Sequence, residues 1–343
     1  MAKANAATQQ DESELVELTP KELGPIVRSH IQNGESFGLE GPPGCGKTSV
    51  PQQEAKALGL PTFISNGELE DTTDGKGLPF RDSENPNQIL WLKDKKYLID
   101  FPALWLHDDL SRAPTSVIGA KATLFLENRI DDLYLPKGSC HCWTGNRTSD
   151  RAGANRIPTM FYDRAPVYGV RYDAESQVEY MLNDPDMDLL TMRFIRMKGD
   201  NAFQFDPAKK INSTSRAWSY VAKRLFRIPS TPYATLAGRI GKGYASELMA
   251  FRNLAPTLPS PEEVELNPTG ARVPENVSAQ FLVTDMLADR ANVNSFDALV
   301  TYAKRLPPEM QAKFVKDSLK RNPDVASTKA FVSWGVKFAE VLR

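Results

Sequence analysis

Cysteine is scarce in this chain of 343 residues. There are three, Cys45, Cys140 and Cys142, an odd number without framework spacing. That excludes a disulfide-stapled scaffold and points to a reducing compartment. Long apolar runs are missing too. No segment reaches the roughly 20 apolar residues that a membrane-spanning helix needs, so no membrane association is expected. Nor is either sign of charge in surplus: 42 Lys and Arg stand against 43 Asp and Glu, for a net charge of −1 and a pI near 6.4. A dedicated nucleic-acid binder usually carries a basic excess, so this balance argues against one, although nucleic acid is not excluded because a local basic stripe or pore is compatible with it. Residues 1–18 lack an apolar signal core and read as a disordered N-terminal arm. The expectation is a soluble, cytoplasmic protein.

What is present is ordinary globular composition, 41% hydrophobic and 25% charged, with enough length for a sizeable core and two or three domains. The first part alternates strands and helices. Thr19-Pro20 opens a helix that Gly34 stops. Short strands are expected at Ser36–Glu40, Pro61–Ser65, Phe101–His107, Ser139–Thr144 and Ala165–Val170, with helices at Thr48–Leu58 and Pro114–Leu126. Asn66–Gln88 reads as a loop or small insertion and Glu127–Lys137 as a hairpin. Such alternation implies a parallel sheet with helices on its faces. After about Tyr172 strand signals vanish. Helices are expected at Ser215–Phe226, Thr235–Phe251, Val277–Ala288, Ser295–Lys304, Pro308–Arg321 and Ala326–Leu342, with a Pro-rich connection at Ala255–Pro274. The expected fold class is α/β, a parallel sheet in residues 19–172, followed by a helical lid and C-terminal region in residues 173–343.

Gly41-Pro42-Pro43-Gly44-Cys45-Gly46-Lys47-Thr48 matches the phosphate-loop pattern G-x-x-x-x-G-K-[ST] throughout. Its glycines let consecutive backbone N–H groups turn toward a phosphate chain, and the following helix adds the positive end of its dipole. The chemistry implied is ATP binding with Mg²⁺. Gly41, Pro42, Pro43, Gly44, Cys45, Gly46, Lys47, Thr48 and Ser49 are the expected nucleotide contacts, with Lys47 on the β and γ phosphates and Thr48 on the metal. Cys45 sits inside this loop, where its alkylation would block the nucleotide.

Ala103-Leu104-Trp105-Leu106-His107-Asp108-Asp109 is an apolar strand ending in two carboxylates. In a phosphoryl-transfer site the first holds the Mg²⁺ and the second orients and activates water, which assigns Asp108 to the metal and Asp109 to the base. The competing reading is that both cap the helix that follows. Cys140-His141-Cys142 is not promoted to a metal site, because alternation along a strand puts the two thiols on one face and the imidazole on the other.

Asp108-Asp109-Leu110-Ser111-Arg112-Ala113-Pro114 resembles the Walker B segment of MoxR-type AAA+ ATPases. Further stretches resemble that family in order: Thr73–Pro79, Leu126-Glu127-Asn128-Arg129, Thr144-Gly145-Asn146 (sensor 1), Asp163-Arg164, and Ser213–Ala217 (sensor 2). The resemblance covers about Gly38 to Tyr220. It departs at Asp109, where the family usually has Glu, and at Arg147 and Ala165, where Pro and Phe are frequent. The resemblance implies that Asn146 places the attacking water, that Arg164 is an arginine finger reaching a neighbouring subunit's nucleotide, and that Arg216 is the sensor-2 arginine. A cap, an ion pair with Asp163 and a solvated helix start are the respective alternatives. Arg147, Arg151 and Arg156 rival Arg164.

It further implies a homo-oligomeric ring, most often a hexamer, that hydrolyses ATP to remodel a protein substrate or adaptor as a chaperone. A von Willebrand factor A-type protein is the first partner expected. Insertions at Asp74–Tyr97 and Arg129–Lys137 would project toward the pore. Phe80, Trp91 and Tyr97, amid Lys93, Lys95 and Lys96, would grip a polypeptide or a nucleic-acid backbone there, or else pack the insertion onto the sheet. The alternatives are a nucleic-acid-directed AAA+ ATPase and a nucleotide-gated scaffold whose shorter Asp109 leaves hydrolysis weak.

Overall fold

Six short strands pair in parallel into one sheet in this computed structural model, which describes residues 15–147 and 157–337. The strands are β1 (Glu17–Leu18), β2 (Phe37–Glu40), β3 (Thr62–Asn66), β6 (Leu104–Asp108), β9 (Cys140–Gly145) and β10 (Val167–Val170), in the order β1-β10-β2-β9-β6-β3. The expected parallel sheet with flanking helices is therefore present, and a helical region follows it. Glu17–Leu18, read from sequence as part of the arm, pairs with Gly169–Val170.

Strand alternation divides the apolar residues between two layers. Leu104, Leu106, Cys140 and Cys142 join Leu23, Val27 and Ile31 of α1 (Pro20–Asn33) on one face. Ala103, Trp105 and Trp143 join Val117, Ile118 and Phe125 of α4 (Thr115–Glu127) on the other. His141 lies on that second face, with its ring centroid 5.7 Å from that of Trp105 and 5.9 Å from that of Phe125, so the thiols and the imidazole do part as alternation requires. Helix α1 begins at a full capping box: Thr19 accepts from Glu22 N while the Glu22 carboxylate accepts from Thr19 N.

Two corrections concern local structure. The stretch Asn66–Gln88, expected as a loop or a small insertion, contains a helical turn α3 (Thr72–Lys76) and the first strand of a hairpin, β4 (Leu78–Arg81) with β5 (Ile89–Leu92). Its Gly, Asp and Pro residues hid it, because they serve the caps and the turn between strands. Phe80 and Trp91 are about half exposed there while Tyr97 is buried, so only Tyr97 packs the insertion onto the body. The helix expected at Thr235–Phe251 is two, α9 (Tyr233–Ile240) and α10 (Lys242–Leu254), broken at Gly241 with φ 85°. The hairpin expected in Glu127–Lys137 is formed by β7 (Arg129–Ile130) and β8 (Leu133–Tyr134).

The chain divides into two compact units, 1–183 with 203–219, and 184–202 with 220–343. The first holds the sheet, α2 (Ser49–Ala57), a short α5 (Thr159–Tyr162) and α6 (Ala174–Leu182). The second comprises α7 (Leu189–Lys198), the end of α8 (Ser215–Arg227), α9, α10, α11 (Pro261–Leu266), α12 (Val277–Arg290), α13 (Phe296–Ala303), α14 (Pro308–Arg321) and α15 (Lys329–Lys337). Its core is built on Leu287, Phe296, Tyr302, Phe314 and Trp334. The end of the helix expected at Ala326–Leu342 lies outside the described residues.

Candidate functional site

In a parallel sheet the crevice beyond the carboxyl ends of the strands is where ligands bind, and three of the expected chemistry-bearing groups leave from that end. The phosphate loop follows β2, the acidic pair ends β6, and Asn146 follows β9, the strand inserted between them.

The loop's path depends on its glycines. Gly44 and Gly46 take φ of 75° and 110°, which side-chain residues resist. Gly41 lies against the Val170 carbonyl, where a Cβ has no room. Tyr172 Oη donates to Pro43 O at 2.6 Å and pins the loop from the strand-β10 side. Lys47 is buried. Its ammonium donates to Gly41 O at 2.8 Å, Pro42 O at 2.9 Å and Asn146 Oδ1 at 3.1 Å. Every one of these acceptors is neutral, and no carboxylate among the described residues pairs with this cation. A buried ammonium without a counter-ion is costly unless a ligand supplies the charge.

Beside it, Thr48 Oγ1 donates to Asp108 Oδ1 at 2.6 Å, and Thr144 Oγ1 donates to the same oxygen at 2.8 Å. The Thr144 hydroxyl also accepts from Asp109 N at 2.9 Å, so one side chain on β9 sets both acidic residues. Asp109 has φ 50° and ψ 39°, a left-handed conformation for a non-glycine residue. It makes no side-chain cap to the turn that follows, which removes the capping alternative for Asp109. Burial, and then the neighbouring Asp108 charge, raise the Asp109 carboxyl above its ordinary range; Lys47, Arg112 and Arg216 pull the other way. A raised carboxyl is a stronger base once ionised. Asn146 Nδ2 lies 3.4 Å from Asp109 Oδ1, and Asn146 N donates to Ser111 Oγ at 3.2 Å. The Asn146 amide thus spans from Lys47 to Asp109.

These residues line one cleft of about 540 Å³ in the first unit, together with Pro20, Gly24, Gln53, Ser176, Gln177, Tyr180 and Arg216. That volume is ordinary for a small-molecule site. The structure brings together Pro43 through Ser49, Asp108, Asp109, Asn146 and Arg216. Gly41 and Pro42 contribute carbonyls to Lys47. Arg164 is not among the lining residues. It precedes β10, at the end of the sheet away from the phosphate loop, and no described residue pairs with its guanidinium. Arg147 pairs with Glu17, while Arg151 and Arg156 lie outside the described residues.

Sequence reasoning missed the roles of Thr144, Ser111 and Tyr172, and the cleft's far end at Ser176, Gln177 and Tyr180. Thr144 was findable, because its place two residues before Asn146 on a strand puts it on the same face. Elsewhere the buried groups are quiet. Burial pushes the Cys45 thiol up, which makes it a slow target for alkylation, and pulls His141 down to about 3. Among the described residues no three His, Cys, Asp or Glu side chains form a metal-binding group.

No protein-family model matches the chain, and no curated protein resembles it in sequence. Among solved structures it is similar to a point mutant of Thermotoga maritima RuvB, with 14% identity over 69% of this chain and 70% of that one at a TM-score of 0.41. The Thermotoga maritima RuvB Holliday junction branch migration motor follows at 13% identity, 68% and 69% coverage and a TM-score of 0.37. A protein of Cytophaga hutchinsonii matches over 92% of this chain and 84% of that one, with 14% identity and a TM-score of 0.35. Likeness this slight carries no weight for the site, which stands on its own geometry.

Proposed function

We propose that this chain is an AAA+ ATPase of the MoxR type that binds and hydrolyses Mg-ATP and works as a homo-oligomeric ring on a protein partner. The observation that carries the reading is the buried Lys47 ammonium. It is held by neutral acceptors only, one residue from a threonine bonded to a strand-end carboxylate. An anion completes that cradle. Lys47, freed from the Gly41 and Pro42 carbonyls, would hold a triphosphate there together with the backbone N–H groups of the loop and of the first turn of α2.

The donor set also fits a divalent cation. The Thr48 hydroxyl and the Asp108 carboxylate are hard oxygen ligands already in contact, and such sites suit Mg²⁺. The ion supplies neutralisation of phosphate charge when bound. Asp109, with its raised carboxyl, accepts a proton from water, and the Asn146 amide orients that water. Arg216 reaches the nucleotide from the same cleft. Arg164 stands away from its own cleft, which supports a role at a neighbour's.

The near-neutral charge and the half-exposed Leu78, Phe80, Leu90 and Trp91 of the β4–β5 hairpin favour a polypeptide over nucleic acid as the substrate. A von Willebrand factor A-type protein is the partner to test first. Steeply salt-dependent stimulation by DNA would reverse that preference.

Phosphate release from mixed assemblies tests the reading. Asp109→Asn and Arg164→Ala are each inactive alone, and mixing them restores part of the turnover, because an intact Asp109 then meets an intact Arg164 across a subunit boundary. Wild-type turnover at background, or full activity in Arg164→Ala, would defeat the reading.

A further inference from the structure

A second buried cation lies below the acidic pair and is not among the residues that line the cleft. Lys121, on α4, is 1% exposed. Its ammonium donates to Ser65 Oγ at 3.0 Å, to His107 Nδ1 at 2.9 Å and to the Glu70 carboxylate, whose side chain is itself 8% exposed. Ser65 and His107 are direct partners across the β3–β6 ladder. They occupy the rung before Asn66 and Asp108, the last rung of the ladder. Lys121 therefore ties that rung together from beneath.

The third partner extends the tie. Glu70 ends a four-residue strap, Gly67–Glu70, that leaves β3. Gly67 N donates to Asp108 O at 2.8 Å. A Cβ at Gly67 would lie 2.7 Å from Asp109 O and 2.9 Å from Leu110 Cα, so the strap presses on the backbone of the Asp109 turn. Glu68 pairs with Arg112 at 2.7 Å on the other side of that turn. Asp109 holds its left-handed backbone between Thr144 above and this strap below. A residue in a sparsely populated conformation persists only when its surroundings over-determine it. Lys121 provides the anchor: it has three donors, and each is used by a different part of the support.

We infer that Lys121, acting through Glu70, Ser65 and His107, is a positioning residue for hydrolysis: it fixes the strap on which the Asp109 turn rests. This rests on the proposed ATPase reading and names what sets Asp109 in that same site. Nucleotide binding depends on Lys47 and the phosphate loop, so losing Lys121 should affect turnover and spare affinity.

The test separates positioning from mere stability. Lys121→Met alone leaves the Glu70 carboxylate buried and unpaired, which is expected to lower the melting temperature. The double variant Lys121→Met with Glu70→Gln removes both charges and recovers most of that loss. Its kcat should still fall about 10- to 100-fold, with the affinity for Mg-ATP kept within about threefold, as for other residues that act through a catalytic group. Ser65→Ala, which removes one acceptor and no charge, should show a smaller fall of the same kind. A double variant that turns over ATP at the wild-type rate, or one whose loss lies wholly in affinity, overturns the inference. Wild-type protein without turnover would instead defeat the ATPase reading itself, whatever Lys121 does.

Discussion

Lys47 and Asp285 are both charged side chains taken out of water, one in each compact unit. Asp285, on α12, is completely buried, and arginines saturate it. Arg321 Nη2 lies 2.5 Å from one oxygen, Arg196 Nη1 3.6 Å from that same oxygen, and Arg193 Nε 3.1 Å from the other. Burial alone would raise its carboxyl, but Arg321 and then Arg196 outweigh burial and bring it below the ordinary range. Lys47 is nearly as buried and meets only two carbonyls and an amide oxygen. A charge whose partners are all on the chain holds the chain together, whereas a charge left with neutral partners is a place for something else. The same distinction separates Lys121, matched by Glu70, from Lys47.

The largest effect expected concerns Asp109, the proposed base. Asp109→Asn should lower turnover by about 1000-fold, within the range for a lost general base, while Mg-ATP still binds. Single-turnover phosphate release checks the first and calorimetry the second. A variant with near-wild-type turnover would take Asp109 out of the chemistry and leave it, like Asp285, a charge that only holds the chain together.

Asp285→Asn comes next. It leaves three guanidiniums around a neutral amide and should cost about 3 kcal/mol of unfolding free energy, the low end for breaking a buried pair. Chemical denaturation measures it. Affinity for nucleotide should change by no more than about threefold, since that unit carries none of the expected ligands. A stable variant with impaired binding would erase the division.

The pH dependences should oppose each other. The Asp285 carboxyl sits below its ordinary value of 3.8, so its stabilisation is fully present above that value and is lost as pH falls through the lowered one. The Asp109 carboxyl sits above 3.8, so ionising it in the folded protein opposes stability as pH rises. Turnover requires the ionised form, so its acid limb should lie above 3.8 and vanish in Asp109→Asn. A limb at or below 3.8 would show that the acidic pair is not crowded in the working state.

Much of the site was legible because its spacing is local. The phosphate loop needs glycine at Gly44 and Gly46 and a lysine before a helix, and all of that lies within eight consecutive residues. Asp108 and Asp109 announced themselves at the end of an apolar strand. What joins them was not legible. Thr144 bridges both carboxylate residues from another strand, and Lys121 meets Ser65, Glu70 and His107 across long sequence separations. Those contacts follow from strand order and register, which a sequence does not display. In the fold, Gly241 split a helix whose apolar periodicity ran on past it. The β4–β5 hairpin stayed hidden because its Asp, Pro and Asn turn residues read as a loop.

The most direct test of the difference between the two buried charges is calorimetric titration of the wild type and Lys47→Met with Mg-ATP, each paired with a melting curve taken without nucleotide. Lys47→Met should lose affinity by on the order of 100-fold, the worth of charge-assisted hydrogen bonds to phosphate, while its nucleotide-free melting temperature stays level or rises, because an unpaired buried cation is gone. Unchanged affinity, or a protein that melts earlier with its binding intact, would mean that Lys47 holds its own loop together and that the cradle is not a phosphate site.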